Sequence, residues 1–137
     1  MIGCFLVRRM IELKKVTSGV AALHLQVFSI QATTHVNKMS RFSVEKNYNW
    51  CAEEITTKPA LYICNQCIHA YVSFVKRGPD RNWSDLLVVS DYDRNDLIWR
   101  IPIITFITLF DAVANDQPTS IQLKWDEKIN DYRIIAD

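Results

Sequence analysis

The segment between Thr57 and Pro79 constrains the fold most, because it carries the clearest helix signals in the chain. Pro59 fits the first turn of a helix, where a missing N–H breaks no hydrogen bond, and Gly78 with Pro79 ends one. Lys76 and Arg77 would lie in the last turn, where cations favour the helix dipole. Apolar residues recur between these ends at helical spacing. The sequence therefore predicts one long helix with its apolar face inward: Leu61, Cys64, Ile68, Tyr71, Val72 and Val75.

The first fifty residues predict a β-hairpin after an ambiguous start. Ile2–Val16 mixes strand-like and helix-like spacing, and Met10 could serve as an alternative start of the chain. Leu23–Ala32 alternates apolar and polar residues, with one change of parity after Val27, which predicts a long strand with a bulge. A turn at Asn37-Lys38 and a second strand over Arg41–Trp50 complete the predicted hairpin.

The second half of the chain predicts strands around one further helix. Pro102 opens that helix, Ile103–Ala114, which is apolar on most of its surface and is predicted to be buried. A polar turn, Asp91–Asp96, is predicted to lie in solvent because Asp and Asn are common turn residues. The predicted strands are Leu86–Val89, Leu97–Ile101, and a C-terminal hairpin of Ser120–Trp125 with Tyr132–Ile135.

These elements define an α+β fold. We expect an antiparallel sheet of about five or six strands with two helices packed on one face. A length of 137 residues predicts a single domain over residues 1–137, large enough for a core without disulfide bonds.

Charge is nearly balanced overall but uneven along the chain. Residues 1–50 hold seven Lys and Arg against two Asp and Glu, a net +5, and the remainder holds nine against thirteen, a net −4. We expect these opposite charges to pair across one fold; the alternative is an acidic surface that meets a basic partner. Basic residues are too thinly spread to predict nucleic-acid binding. The sequence contains no recognisable signal peptide and no apolar stretch long enough for a membrane span. We therefore predict a cytoplasmic protein with reduced thiols and no membrane partner.

Cys64 and Cys67 form the only C-x-x-C pair, and Cys51 with His69 could complete a set of four zinc ligands. Residues 59–68, PALYICNQCI, resemble the second half of the zinc-binding domain of ClpX-type unfoldases. That family also has a C-x-x-C pair about twenty residues upstream, which this chain lacks. The favoured interpretation has Cys64 and Cys67 packing as small hydrophobic residues without a cofactor. Zinc is the alternative. Redox chemistry fits less well, because Cys64 lies inside the predicted helix rather than at its start.

No catalytic signature occurs, so an enzyme is not favoured. The aromatic side chains are the best candidates for binding a ligand or partner: Trp50, Tyr92, Trp99 and Trp125. The leading hypothesis is a non-enzymatic module, of adaptor-like or immunity-like type, that binds a protein partner or its own copy. Its contact surface would be an open sheet face or the acidic half. The alternatives are a zinc-dependent adaptor, and a small-ligand site or minor enzyme between the sheet and Ile103–Ala114, walled by Trp99 and Tyr92.

Overall fold

The computed structural model describes all residues, 1–137, and shows an α+β fold, as predicted. The structure contains five α-helices, seven β-strands and one 3-10 turn, Ser40–Phe42. The helices are α1 Ile2–Glu12, α2 Ser18–Ala21, α3 Val44–Asn47, α4 Ala60–Ile68 and α5 Ile103–Ala114. The strands are β1 His24–Ala32, β2 Tyr48–Pro59, β3 Ala70–Arg77, β4 Trp83–Ser90, β5 Leu97–Pro102, β6 Ile121–Asp126 and β7 Asp131–Ala136.

Five strands form one antiparallel sheet in the order β2-β1-β5-β4-β3. The β3–β4 and β4–β5 connections are short turns, whereas α4 carries the chain from the β2 edge across the sheet to the β3 edge. Strands β6 and β7 pair only with each other, in a separate two-stranded sheet. The predicted C-terminal hairpin is thus confirmed, but it does not join the main sheet.

The main core lies between one face of the five-stranded sheet and helices α1, α4 and α5. Helices α4 and α5 each follow directly on a strand that ends in proline, Pro59 and Pro102. Each proline has a φ near −60°, which suits the residue before the first helical turn. Leu109 of α5 and Ile63 of α4 are fully buried against the sheet. The prediction that helices pack on one face is therefore confirmed.

A second, smaller core covers part of the opposite sheet face. There the connection between β1 and β2 folds back over Ile30, Ile98 and Val89, and contributes Val36 and Val44. Strand β1 consequently buries side chains on both faces near its end. This burial on both faces accounts for the change of parity in the sequence of β1, and no bulge follows Val27. The only irregularity in its pairing with β2 lies near the end of the strand, between Ile30 and Ala32.

The strand predicted over Arg41–Trp50 is wrong. Residues 40–47 form the 3-10 turn and α3, and only Tyr48 onwards is strand. Strand β2 then continues through Thr57, which the sequence had placed at the start of a helix. Pairing of β2 with β1 along seven consecutive residues, Glu53 to Pro59, overrides the weaker local signal.

The long helix predicted from Pro59 to Arg77 is half wrong. Helix α4 ends at Ile68, and Ala70–Arg77 is edge strand β3, paired with β4. Residues 70–77 are rich in aromatic and β-branched side chains, which favour a strand once a neighbouring strand is available. The predicted inward position of Cys64 is confirmed, because that residue is fully buried in α4.

Two further helices depart from expectation. The ambiguous N-terminal segment is helix α1, which buries Cys4, Val7 and Ile11, so residues before Met10 are part of the core. Helix α5 is less buried than its composition predicts, because nothing covers its outer side, where Ile104 is 63% exposed.

Opposite charges do not pair between the two halves of the chain. Each of the six ion pairs joins residues within 1–50 or within 51–137. The expected pairing across the fold is therefore wrong at the level of ion pairs. No helix combines the length and the apolar character that a membrane span requires.

Candidate functional site

The β6–β7 hairpin places its charged side chains on one face and most of its apolar side chains on the other; Ile135, opposite Gln122, is the large apolar residue on the charged face. In its register Trp125 lies opposite Tyr132, and Leu123 lies opposite Ile134. Residues directly opposite each other in an antiparallel pair point to the same side, so these four side chains share one face with Ile121. We call this set the hairpin face: Ile121, Leu123, Trp125, Tyr132 and Ile134.

The hairpin face is open to solvent. Its five side chains are between 42% and 67% exposed, although all five are large and apolar or aromatic. Only Ala136, which lies opposite Ile121 on the same side, is buried, at the base of the hairpin. Trp125 and Tyr132 pack edge to face, with ring centroids 5.0 Å apart. Since such side chains expose about 200 Å² each when fully accessible, the face presents roughly 500 Å² of largely apolar surface. A patch of that size on one chain typically marks an interaction site.

Only the base of the hairpin is fastened to the rest of the fold. Ser18 Oγ donates to the Ala136 carbonyl over 3.1 Å, and the carboxylate of Asp116, in the segment before β6, accepts hydrogen bonds from the backbone N–H and the hydroxyl of Thr17. An isolated two-stranded hairpin is marginally stable in water, and one with an uncovered apolar face gains little from burial. The hairpin face therefore lacks the packing partner that its sequence pattern implies.

Charged side chains of the hairpin occupy the opposite face. Lys124 lies opposite Arg133, and Asp126 lies opposite Asp131. Arg133 also forms an ion pair with Asp126, so each sign is partly neutralised by the other. No charged side chain belongs to the hairpin face itself, and the nearest charged side chains, Glu12 and Lys14, border it in a shared groove with Tyr132 and Ile134.

The outer face of the main sheet differs, because a charged cluster fills its centre. Arg100 donates to Asp85 over 2.5 Å and to both carboxylate oxygens of Glu53 over 2.5 and 2.7 Å. Its guanidinium also lies 3.8 Å from the ring centroid of Phe28. These contacts satisfy the hydrogen-bond donors of the Arg100 guanidinium within the chain, and the charged groups interrupt the apolar surface of the sheet. This face is therefore a weaker docking site than the hairpin face.

The Arg100 cluster shifts the pKa values of both carboxyl groups. Hydrogen bonds from Arg100 lower the pKa of Glu53. Burial alone would raise the pKa of Asp85, but hydrogen bonds from Ser84 and Arg100 outweigh that effect and lower it. Both groups are therefore held as carboxylates, which fits a clamp across β2, β5 and β4 rather than an acid–base pair.

The other predicted aromatic residues are dispersed. Trp99 is buried in the main core and meets Tyr62 edge to face, with centroids 5.7 Å apart. Tyr92, in the β4–β5 turn, is 92% exposed, so it cannot form a pocket wall with Trp99. Trp50 lies on β2 and donates to the Glu45 carbonyl. Of the four aromatic candidates, only Trp125 belongs to the hairpin face.

Sequence reasoning missed the structural role of the β4–β5 turn. Asp91 and Asp96 are exposed, as predicted, but Asp93 is half-buried. Its carboxylate accepts hydrogen bonds from Tyr62 over 3.1 Å and from Gln66 over 2.6 Å, and so ties the turn to α4. Burial and the charge of Asp93 raise the pKa of Tyr62 to about 12. Nothing in the sequence pairs Asp93 with residues about thirty positions earlier.

The structure does not assemble the four suggested zinc ligands. Cys51 is exposed on β2, whereas Cys64 and Cys67 are buried in α4. His69 lies beside Arg8, with 3.4 Å between Nε2 and Nη1. Cys4 on α1 is the cysteine that packs in the same buried core as Cys64 and Cys67. No group of three or more His, Cys, Asp or Glu side chains is arranged to hold a metal ion.

A groove of about 310 Å³ runs beside α5, close to the predicted ligand site but with different walls. It is bordered by α1, α4, β4 and α5, and every lining residue is apolar: Met1, Cys4, Cys67, Leu86, Ile103, Phe106, Ile107 and Phe110. Neither the carboxylate nor the histidine that a small catalytic site would need lines this groove.

Comparison with known proteins adds no relative from which a role could be transferred. No protein-family model, curated protein sequence or solved structure matches this chain. The hairpin face, argued from its own residues, is therefore the candidate functional site.

Proposed function

We propose that this chain is a non-enzymatic protein-binding module whose contact surface is the hairpin face. The observation that carries the proposal is the exposure of five large apolar and aromatic side chains on one side of a two-stranded sheet. Tryptophan and tyrosine at the centre of such a patch, here Trp125 and Tyr132, are the residue types that dominate binding energy in protein interfaces.

The occupant we propose is the hairpin face of a second copy. Two faces of roughly 500 Å² each would together bury about 1,000 Å², which reaches the lower bound for a specific interface. The face itself carries no charged side chain, so a two-fold arrangement opposes apolar residues at the centre of the contact. Two hairpins stacked in this way form a small sandwich with sheets about 10 Å apart.

A matched pair of lysine substitutions tests this proposal. Leu123→Lys places a charge in the hairpin face, and Gln122→Lys places the same charge on the neighbouring residue, which points to the other side. Both positions are exposed, so neither change disturbs the core of one chain. Sedimentation equilibrium under reducing conditions, which exclude disulfide links through exposed Cys51, gives the association constant of each protein.

We expect wild type and Gln122→Lys to form dimers with similar micromolar affinity, and Leu123→Lys to associate at least about 100-fold more weakly. A wild-type protein that remains monomeric at 200 μM would contradict the proposal that a second copy occupies the face. Equal weakening by the two lysines would place the interface elsewhere on the chain.

A further inference from the structure

Two consecutive residues at the start of α2 hold both ends of the β6–β7 hairpin. Asp116, in the segment before β6, is hydrogen-bonded to Thr17, and Ala136, the last residue of β7, is hydrogen-bonded to Ser18. Strands β6 and β7 pair with no strand of the main sheet. The two contacts span 99 and 118 positions of the sequence, so no local pattern predicts them.

The Asp116 carboxylate uses both of its oxygens in this contact. Its Oδ2 accepts a hydrogen bond from the Thr17 backbone N–H over 2.6 Å, and its Oδ1 accepts one from the Thr17 hydroxyl over 3.0 Å. The Thr17 hydroxyl oxygen also accepts from the Val20 N–H over 3.3 Å, which leaves the hydroxyl hydrogen free to point at Asp116. Hydrogen bonds to a carboxylate are stronger than those between neutral groups, and both are partly buried here.

A third hydrogen bond holds the other strand of the hairpin. Ser18 Oγ donates to the Ala136 carbonyl over 3.1 Å, at the buried base of β7. We call Thr17, Ser18 and Asp116 the clasp. None of these three residues belongs to the hairpin face, so any effect of the clasp on binding acts through the order of the hairpin.

The clasp restricts a segment that has little other packing to order it. A two-stranded hairpin alone is marginally stable in water. Fastening both of its ends at one place removes conformations in which the strands separate, which is the entropic effect of closing a loop. A segment that must become ordered during binding loses affinity, so a hairpin that is ordered beforehand binds more tightly.

We propose that Thr17 and Asp116 are positioning residues that order the hairpin face for association with a second copy. This inference rests on the proposed function and adds the residues that control it. Without the clasp, the hairpin face keeps its five side chains but loses the attachment that holds its strands together. Association should then weaken although no residue of the contact surface has changed.

Hydrogen exchange of the monomer tests the clasp separately from association. Asp116→Ala removes the clasp carboxylate, and Asp111→Ala removes an equal charge from an exposed side chain in the last turn of α5. Both changes are made in the Leu123→Lys protein, at concentrations where it is a monomer. We expect β6 and β7 amides to exchange at least about tenfold faster in Asp116→Ala than in Asp111→Ala, and amides of β1, β4 and β5 to exchange equally in both.

A second pair of variants gives an independent measurement should Asp116→Ala fail to fold. Thr17→Val keeps the shape of threonine without its hydroxyl, whereas Thr17→Ser keeps the hydroxyl and its bonds to Asp116 and Val20. We expect faster hairpin exchange for valine and wild-type exchange for serine. With the wild-type hairpin face, sedimentation equilibrium should show about tenfold weaker association for Asp116→Ala and Thr17→Val than for their controls.

The possible failures point to different errors. Equal hairpin exchange within each pair of variants would overturn the clasp and leave the proposed self-association untouched. Faster hairpin exchange with an unchanged association constant would overturn the positioning role. A wild-type protein that stays monomeric would contradict the proposed function and the positioning role with it, while the exchange rates would still show whether the clasp orders the hairpin.

Discussion

Replacing Arg100 with methionine should destabilise the protein far more than loss of an ordinary surface charge. Methionine keeps an apolar stem beside Phe28 but removes the cation between two carboxylates. The side chains of Arg100, Asp85 and Glu53 are only 18%, 10% and 30% exposed, respectively. The substitution therefore leaves Asp85 as a largely buried charge with only Ser84 as a hydrogen-bond donor.

The expected magnitude follows from the burial of each partner. Removing one member of a buried ion pair costs about 3–5 kcal/mol, and an exposed pair contributes about 0–1 kcal/mol. The cost of unpairing Asp85 should lie near the lower end of the 3–5 kcal/mol range, because Asp85 keeps its hydrogen bond from Ser84. Unpairing Glu53 adds little, because its carboxylate can turn towards water. We expect a loss of about 3 kcal/mol in the free energy of unfolding for Arg100→Met.

Urea denaturation measures this loss, with Arg133→Met as the control. Arg133 also forms an ion pair, but its side chain is 62% exposed, so its removal should cost less than about 1 kcal/mol. For a slope near 2 kcal/mol per M, Arg100→Met lowers the urea midpoint by about 1.5 M. Equal midpoints for the two variants would refute the argument that burial makes the Arg100 cluster stabilising.

Three further predictions concern acidity, packing and the β4–β5 turn. The pKa values of the two carboxyl groups at Arg100 are lowered by folding, so their stabilisation is full above about pH 5 and declines as pH falls below about 4; Arg100→Met should flatten this decline in urea titrations. Leu109→Ala should cost about 3 kcal/mol in urea unfolding, because that side chain is fully buried. The exposed Ile104→Ala on the same helix should cost less than about 1 kcal/mol. Asp93→Ala should lower the pKa of Tyr62 from about 12 in a spectrophotometric titration, since a neighbouring negative charge disappears while burial remains. An unchanged Tyr62 pKa would show that burial alone raises it.

Local signals predicted the C-terminal half well because they agree with its tertiary environment. Pro102 starts a helix over Ile103–Ala114 in both the sequence pattern and the structure. The alternation of apolar and polar residues after Ser120 produces a hairpin with matching faces. In each case one proline or one period-2 pattern suffices, and no distant strand competes with it.

Residues 41–77 were harder to predict because distant partners decide their conformation. Ala70–Arg77 has acceptable helical spacing, but pairing with β4 makes it an edge strand. Strand β2 likewise depends on β1, whose end lies sixteen positions before Tyr48 in the sequence and yet pairs with it. Helix signals at Pro59 and Gly78 mark real boundaries, although two elements rather than one lie between them.

The candidate site was only partly accessible to sequence reasoning. Trp125 could be singled out, and its strand pattern predicts that Leu123 shares its face. Whether that face is covered depends on where the hairpin lies relative to the main sheet, which no local pattern specifies. The burial of Cys4 beside the α4 cysteines in one core could not be predicted for a similar reason, because Cys4 lies sixty residues before Cys64 and only the packing of α1 on α4 brings them into the same core.

The proposed self-association is tested most directly by magnetic resonance on a dimer of mixed isotope labels. One copy carries labelled aromatic rings, the other carries labelled methyl groups, and filtering keeps only signals between copies. We predict contacts from the Trp125 and Tyr132 rings to the methyl groups of Leu123 and Ile134 in the other copy. Intermolecular contacts confined to other surfaces, or none at a concentration where the measured mass is that of a dimer, would contradict the assignment of the hairpin face as the binding surface.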